Sequence, residues 1–130
     1  MPLSLERGND LFACNGNNTV TAGANSAITL GNGNNTVFAG TSDMLTFGNG
    51  QDTVAFGAAT PAALGTVTVS GFNAQHDQIG FNPALFANFA AVLHDAKQSG
   101  ANTIVTAAPG DTVTLLNVAM TSLTANNIHT

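Results

Sequence analysis

The sequence predicts a mainly β protein: a short, right-handed parallel β-solenoid, a roll of about three coils, capped by a C-terminal β-rich segment with one amphipathic helix. A glycine- and asparagine-rich stretch recurs at an even 17-residue spacing, from Gly16, Gly33 and Gly50. Between the copies, apolar residues alternate with period two, as in half-buried strands. Apolar spacing of three and four residues is confined to a stretch in the second half, from Leu85 to Ala96.

The repeats read "GNNTVTAGANSAITLGN", then "GNNTVFAGTSDMLTFGN", then "GQDTVAFGAATPAA", where the pattern fades. The first two supply two short strands each, Val20 with Ala22 and Ile28 with Leu30, then Val37 with Ala39 and Leu45 with Phe47, and the fading third begins with Val54 and Phe56. The Gly-Asn clusters between them are turns, because Gly and Asn tolerate positive φ. Stacked as a flattened coil, the strands align Val20, Val37 and Val54 on one inner wall and Phe12, Ile28 and Leu45 on the other. Coils ~4.8 Å apart give a stack of only ~15 Å, so it needs caps. Residues 1–65 form this roll and residues 66–130 the cap, packed with it as one unit.

In the cap, "TVTVSGFNAQHDQIGF" is a strand, a turn and a second strand. Asn82-Pro83 opens a helix over about 83–99. Leu85, Phe86, Phe89, Val92, Leu93 and Ala96 form its apolar face, and Gly100 stops it. "NTIVTAAPGDTVTLLNV" gives two strands about an Ala-Pro-Gly-Asp turn, and "MTSLTANNIHT" a helical turn and an extended end.

Only two basic residues, Arg7 and Lys97, stand against seven acidic ones, for a formal charge of −5. That balance gives no footprint for nucleic acid or anionic lipid. No apolar run approaches the ~18 residues of a membrane span, so no membrane insertion is expected. Cys14 is the only cysteine, which rules out an intramolecular disulfide; a small buried residue in a capping coil is its expected place. The opening "MPLSLERGNDLF" lacks the basic and long apolar regions of a Sec signal, so an export address would lie elsewhere.

The alternating eight- and nine-residue steps resemble the RTX nonapeptide, Gly-Gly-x-Gly-x-Asp-x-(apolar)-x, of bacterial type I secreted, hemolysin-type calcium-binding proteins. "LGNGNNTVF" and "FGNGQDTVA" carry the resemblance, with Asp52 at the acidic position of the second. The half-repeats "AGANSAIT" and "AGTSDMLT" are one residue short, the latter keeping Asp43, and "RGNDLF" adds a half-coil with Asp10 at the acidic position. The order of "SGFNAQHDQIGF", "LFANFAAVLHDAKQSG", "NTIVT", "DTVTLLNV" and "SLTANNIHT" is similar to the segment that follows the repeats in that family. The resemblance implies a calcium-loaded β-roll, a cap with an uncleaved C-terminal export signal, and an extracellular or cell-surface location reached through the type I secretion machinery. Family members commonly finish on an acidic residue followed by aromatic or apolar ones, whereas this chain finishes "NNIHT".

By the same resemblance, Asp10, Asp43, Asp52, Asn18 and Asn35 occupy the Ca²⁺-ligand positions. The two columns read Asn18, Asn35, Asp52 and Asp10, Ser26, Asp43, so adjacent coils are not expected to pair two carboxylates. Calcium takes six to eight oxygens. Replacing one carboxylate by an amide removes ~4 kcal/mol of attraction per unit charge at 4 Å and effective dielectric ~20. Calcium sites are therefore expected to be weak or lost, with stacked amides as ladders in their place.

His76, His94 and His129 have no paired ligand spacing, and His76-Asp77 reads as a polar turn. No nucleophile elbow or P-loop occurs, and no enzyme is expected. Two readings stand. The first is a secretion-and-folding module of an exported protein. The second is a stand-alone module that self-assembles through its coil ends, or binds carbohydrate, ice or a partner protein through Phe38 and the row Thr19, Thr36, Thr53.

Overall fold

The computed structural model describes residues 2–5, 10–13, 15–56, 65–81, 86, 88–108 and 111–130. Cys14, the Asn82-Pro83 helix start, Leu85 and the Pro109-Gly110 turn lie outside the described residues.

The protein is mainly β, with largely parallel sheets and, among the described residues, one short α-helix and one 3-10 turn. One sheet contains β1 (Pro2–Leu5), β3 (Thr19–Ala22), β5 (Thr36–Phe38), β7 (Thr53–Phe56), β9 (Gln78–Phe81) and β13 (Ile128–His129), in that order and all parallel. The other begins with β2 (Asp10–Ala13), β4 (Ala27–Leu30), β6 (Met44–Thr46), β8 (Thr66–Ser70) and β12 (Asp111–Leu115), also parallel. It ends in the antiparallel pairs of β11 (Asn102–Ala108) and β10 (Ala96–Ser99). From β1 to β9 the chain alternates between the sheets, and both run past residue 65 without a break.

Register follows the repeat. Val20, Val37, Val54, Ile79 and Ile128 stack in the first sheet, and Leu11, Ile28, Leu45, Val69 and Leu115 in the second. All but Leu11 are essentially buried. Phe81 stacks on Phe56 at 5.5 Å and meets the edge of Phe86 at 5.0 Å, which extends the core beyond the repeats. Close stacking also dictates glycine: a Cβ on Gly33 (φ +113°) would lie 2.5 Å from the Gly16 carbonyl oxygen.

Two expectations change. Leu11, not Phe12, pairs with Ile28, and Phe12 is 74 % exposed. Because strand side chains alternate faces, a frame error of one residue moves Phe12 from core to surface. The helix, expected over about 83–99, is α1 (Phe89–His94), capped by Asn88, whose side chain accepts the Ala91 N–H at 2.9 Å. Beyond Asp95 the chain turns to strand: Ala96 pairs with Val105 and Ser99 with Asn102, around Gly100 at φ +60°. Gln98 Nε2 clamps that hairpin by donating to the Gly100 and Asn102 carbonyls at 3.0 and 2.8 Å. Pairing with the next strand of a tight hairpin overrides the local helical spacing.

Candidate functional site: polar columns at the turns

The residue preceding β3, β5, β7, β9 and β13 of the first sheet is polar, and the register stacks these residues. Asn18, Asn35 and Asp52 form one buried column, as the repeat predicts, and Asp77, just before β9, extends it. Asn35 Oδ1 accepts Asn18 N–H at 3.0 Å and Asn18 Nδ2 at 3.1 Å. Asp52 Oδ1 accepts Asn35 N–H and Nδ2, both at 3.0 Å. Asp77 Oδ1 accepts Asp52 N–H at 2.9 Å. The backbone runs in parallel, with Thr36, Thr53 and Gln78 N–H donating to the Asn18, Asn35 and Asp52 carbonyls at 2.8 Å. The side chains of Asn35, Asp52 and Asp77 therefore each fasten their own strand to the one before it.

Two carboxylates do become neighbours, contrary to the expectation from the repeat. The spacing from Asp52 to Asp77 is 25 residues rather than 17, which hid the match between "DQIGF" and "DTVAF". Burial pushes the Asp52 carboxyl above its ordinary value, the bonds from Asn35 and Gly48 hold it down, and the nearby Asp77 charge adds to the rise. Asp77 is held by Asn73 N–H at 2.8 Å on Oδ2 and by His76 Nδ1 at 3.1 Å on Oδ1.

Asp43 stands in a second position of the same kind. Its Oδ1 accepts Ser26 N–H at 2.8 Å and its Oδ2 Gly40 N–H at 2.6 Å. Burial raises its carboxyl and the two backbone donors oppose the rise. Its neighbour on the far side is apolar, since Met44 pairs with Thr68 and so aligns Asp43 with buried Val67. Asp10 is not in this column: it pairs with Ala27, one residue past Ser26, and is exposed. The frame error that misplaced Phe12 misplaced Asp10 as well.

Exposed amides outside the buried column run the opposite way. Asn15 Oδ1 accepts Asn32 N–H at 2.9 Å, Asn17 Oδ1 accepts Asn34 N–H at 2.8 Å, and Asn34 Oδ1 accepts Gln51 N–H at 2.9 Å. Here the earlier copy supplies the acceptor, whereas in the buried column the later copy does. Successive turns are thus laced in both directions.

Every carboxylate oxygen of Asp43, Asp52 and Asp77 already accepts an N–H. A cation at Asp52 and Asp77 would have to share these oxygens with N–H donors that already occupy part of their lone-pair capacity. Among the described residues no three His, Cys, Asp or Glu side chains converge as a metal-ligand set. His94 pairs with Asp95 at 3.1 Å on the exposed surface. Beside His76 lies a groove of about 240 Å³ lined by Asn34, Thr36, Gln51, Thr53 and Gln78. A larger open cleft of about 800 Å³, between Gly71–Gln75 and Leu116–Thr124, has no charged lining residue. The described helices include none long and apolar enough to cross a membrane.

In comparisons with known proteins, no family model and no curated protein matches this chain.

Proposed function

We propose that this chain is a non-catalytic, RTX-like β-roll module of an exported bacterial protein, in which hydrogen-bonded amide and carboxylate columns have taken over the structural work of calcium. The chain's alternation between two parallel sheets, in register with the 17-residue repeat, supports a right-handed roll of about three coils. The observation that carries the reading is the buried column Asn18, Asn35, Asp52, Asp77. Its side chains satisfy one another and the turn backbone, so no ion is required to neutralise a run of carboxylates. In this reading Asp10, Asp43 and Asp52 bind Ca²⁺ weakly or not at all. Residues 66–130 cap the roll and carry the address read by the type I secretion machinery, which puts the protein outside the cell or on its surface. A reporter fused to the N-terminus of the full chain, in cells with a type I apparatus, tests it. Export that is lost when the apparatus is deleted supports the reading; retention in the cytoplasm in both strains refutes the secretion role.

A second reading, a stand-alone binding or assembly module, has one observation in its favour. The groove beside His76 presents amides and hydroxyls without a Lys or Arg, next to the outward row Thr19, Thr36, Thr53. Such a lining suits a neutral polyhydroxylated ligand or ordered water better than an anion. Phe12, Phe38 and Met44 are exposed apolar side chains that suit contact with a second copy or a partner protein. Glycan binding or a defined oligomer under native conditions would move this reading ahead.

A further inference from the structure

Each repeat carries an Asn-Gly pair at its first turn: Asn15-Gly16, Asn32-Gly33 and Asn49-Gly50. All three asparagines are exposed and all three glycines have φ between 113° and 115°, so sequence, exposure and backbone do not distinguish them. Their hydrogen bonds do. Gly16 N–H donates to the Asn32 carbonyl at 2.7 Å, while Asn15 Oδ1 accepts Asn32 N–H at 2.9 Å. Gly33 N–H donates to the Asn49 carbonyl at 2.9 Å, and Asn32 Oδ1 has no partner among the described residues. Gly50 N–H and the Asn49 side chain have no partner among the described residues.

We propose that Asn49 is a site of spontaneous deamidation, to which the stacking of the turns confines a reaction that the sequence offers three times. The Gly50 amide nitrogen attacks Asn49 Cγ, a new N–Cγ bond closes a succinimide, and the Cγ–NH₂ bond breaks. Ammonia leaves with the proton lost from Gly50 N. Water then opens either carbonyl, giving aspartate or isoaspartate, so the net change is asparagine plus water to acid plus ammonia. A glycine in the attacking position leaves the nitrogen unhindered, with no Cβ beside it. At Asn15 the reaction must break two ladder hydrogen bonds, at Asn32 one, and at Asn49 none. Each bond that must break slows the step by about fivefold.

The products have structural consequences. Either adds a negative charge to a chain already at −5. Isoaspartate also reroutes the main chain through Cβ and Cγ and turns the Asn49 main-chain carbonyl, the acceptor for Gly33 N–H, into a pendant carboxylate, and so loosens the last rung of the turn column.

The test is to age the purified full chain in mildly alkaline buffer and, in parallel, in unfolding urea. Fragmentation mass spectrometry then localises the replacement of NH by O at each asparagine. With each site's native rate divided by its rate in urea, the expected order is Asn49, then Asn32 about fivefold slower, then Asn15 about fivefold slower again. The Asn49→Gln variant should lose the early product and leave the other two rates unchanged. Equal normalised rates at the three sites, or a rate at Asn49 below that at Asn32 or Asn15, overturns the proposal.

Discussion

Asp52→Asn should stabilise the protein, although it alters a fully buried, hydrogen-bonded residue. The same column already holds Asn18 and Asn35, so the site accommodates an amide. The new Oδ1 would keep the bonds from Asn35 N–H and Nδ2, and the new Nδ2 would face Asp77 Oδ1 as Asn35 Nδ2 faces Asp52 Oδ1 at 3.0 Å. What is lost is the 3.2 Å bond from Gly48 N–H to Oδ2, a charge-assisted bond of roughly 1.5–3 kcal/mol. What is relieved is repulsion from Asp77 about one strand spacing away, at ~4.8 Å. At an effective dielectric of ~20 that repulsion is about 3–4 kcal/mol at most. The net gain should be about 1 kcal/mol, or about 3–5 °C in Tm for a domain of this size.

The pH profile supplies a second readout. Burial raises the Asp52 carboxyl above its ordinary 3.8, so the folded state holds the proton more tightly than the unfolded chain does. The stability contributed by protonation is complete below 3.8 and is lost as pH rises through the raised folded value. Mild acidification from neutrality should therefore stabilise the parent, and Asp52→Asn should flatten that dependence while leaving the Asp43 share. Urea denaturation across that pH range measures both effects. A variant destabilised by about 1 kcal/mol or more, with the parent's pH slope intact, would refute the reasoning: the charge would then be what holds the turn.

Asp43→Asn should do the opposite. Asp43 has no carboxylate neighbour to relieve, and an amide would set NH₂ against either Ser26 or Gly40 N–H; chemical denaturation should register a loss of about 1–2 kcal/mol. Gly33→Ala should cost about 3 kcal/mol or more, since the methyl would press on the Gly16 carbonyl at a positive φ that alanine disfavours. A thermal melt with an unchanged midpoint would mean that the turns are not stacked as described.

Much of the fold was legible because the repeat is regular where packing is regular. Val20, Val37 and Val54 occupy equivalent places in the sequence and in the core. Errors fell where a local rule met a strand partner that the spacing alone does not reveal. In "NDLF" the frame of the first half-repeat was ambiguous by one residue, and only pairing with Ala27–Leu30 settles which side chains face inward. Ala96–Ser99 has helical spacing but pairs with Asn102–Val105. A structural hydrogen-bonding role for Asp77, in the turn that links roll to cap, is implied by the resemblance, but its place in the column is hidden because the stretch between β7 and β9 interrupts the spacing, although "DQIGF" carries the same acid, apolar and phenylalanine positions as "DTVAF". The opposite directions of the inner and outer amide bonds depend on backbone geometry that composition does not encode.

In the proposed reading, polar columns hold the stacked turns without calcium. Far-UV circular dichroism with a thermal melt, in excess chelator and again with millimolar Ca²⁺, tests it most directly. The same strand signal is expected in both, with midpoints within about 2 °C. Strand signal that appears only with calcium, or a midpoint raised by about 10 °C or more, would contradict it and would make Asp43 and Asp52 calcium ligands after all.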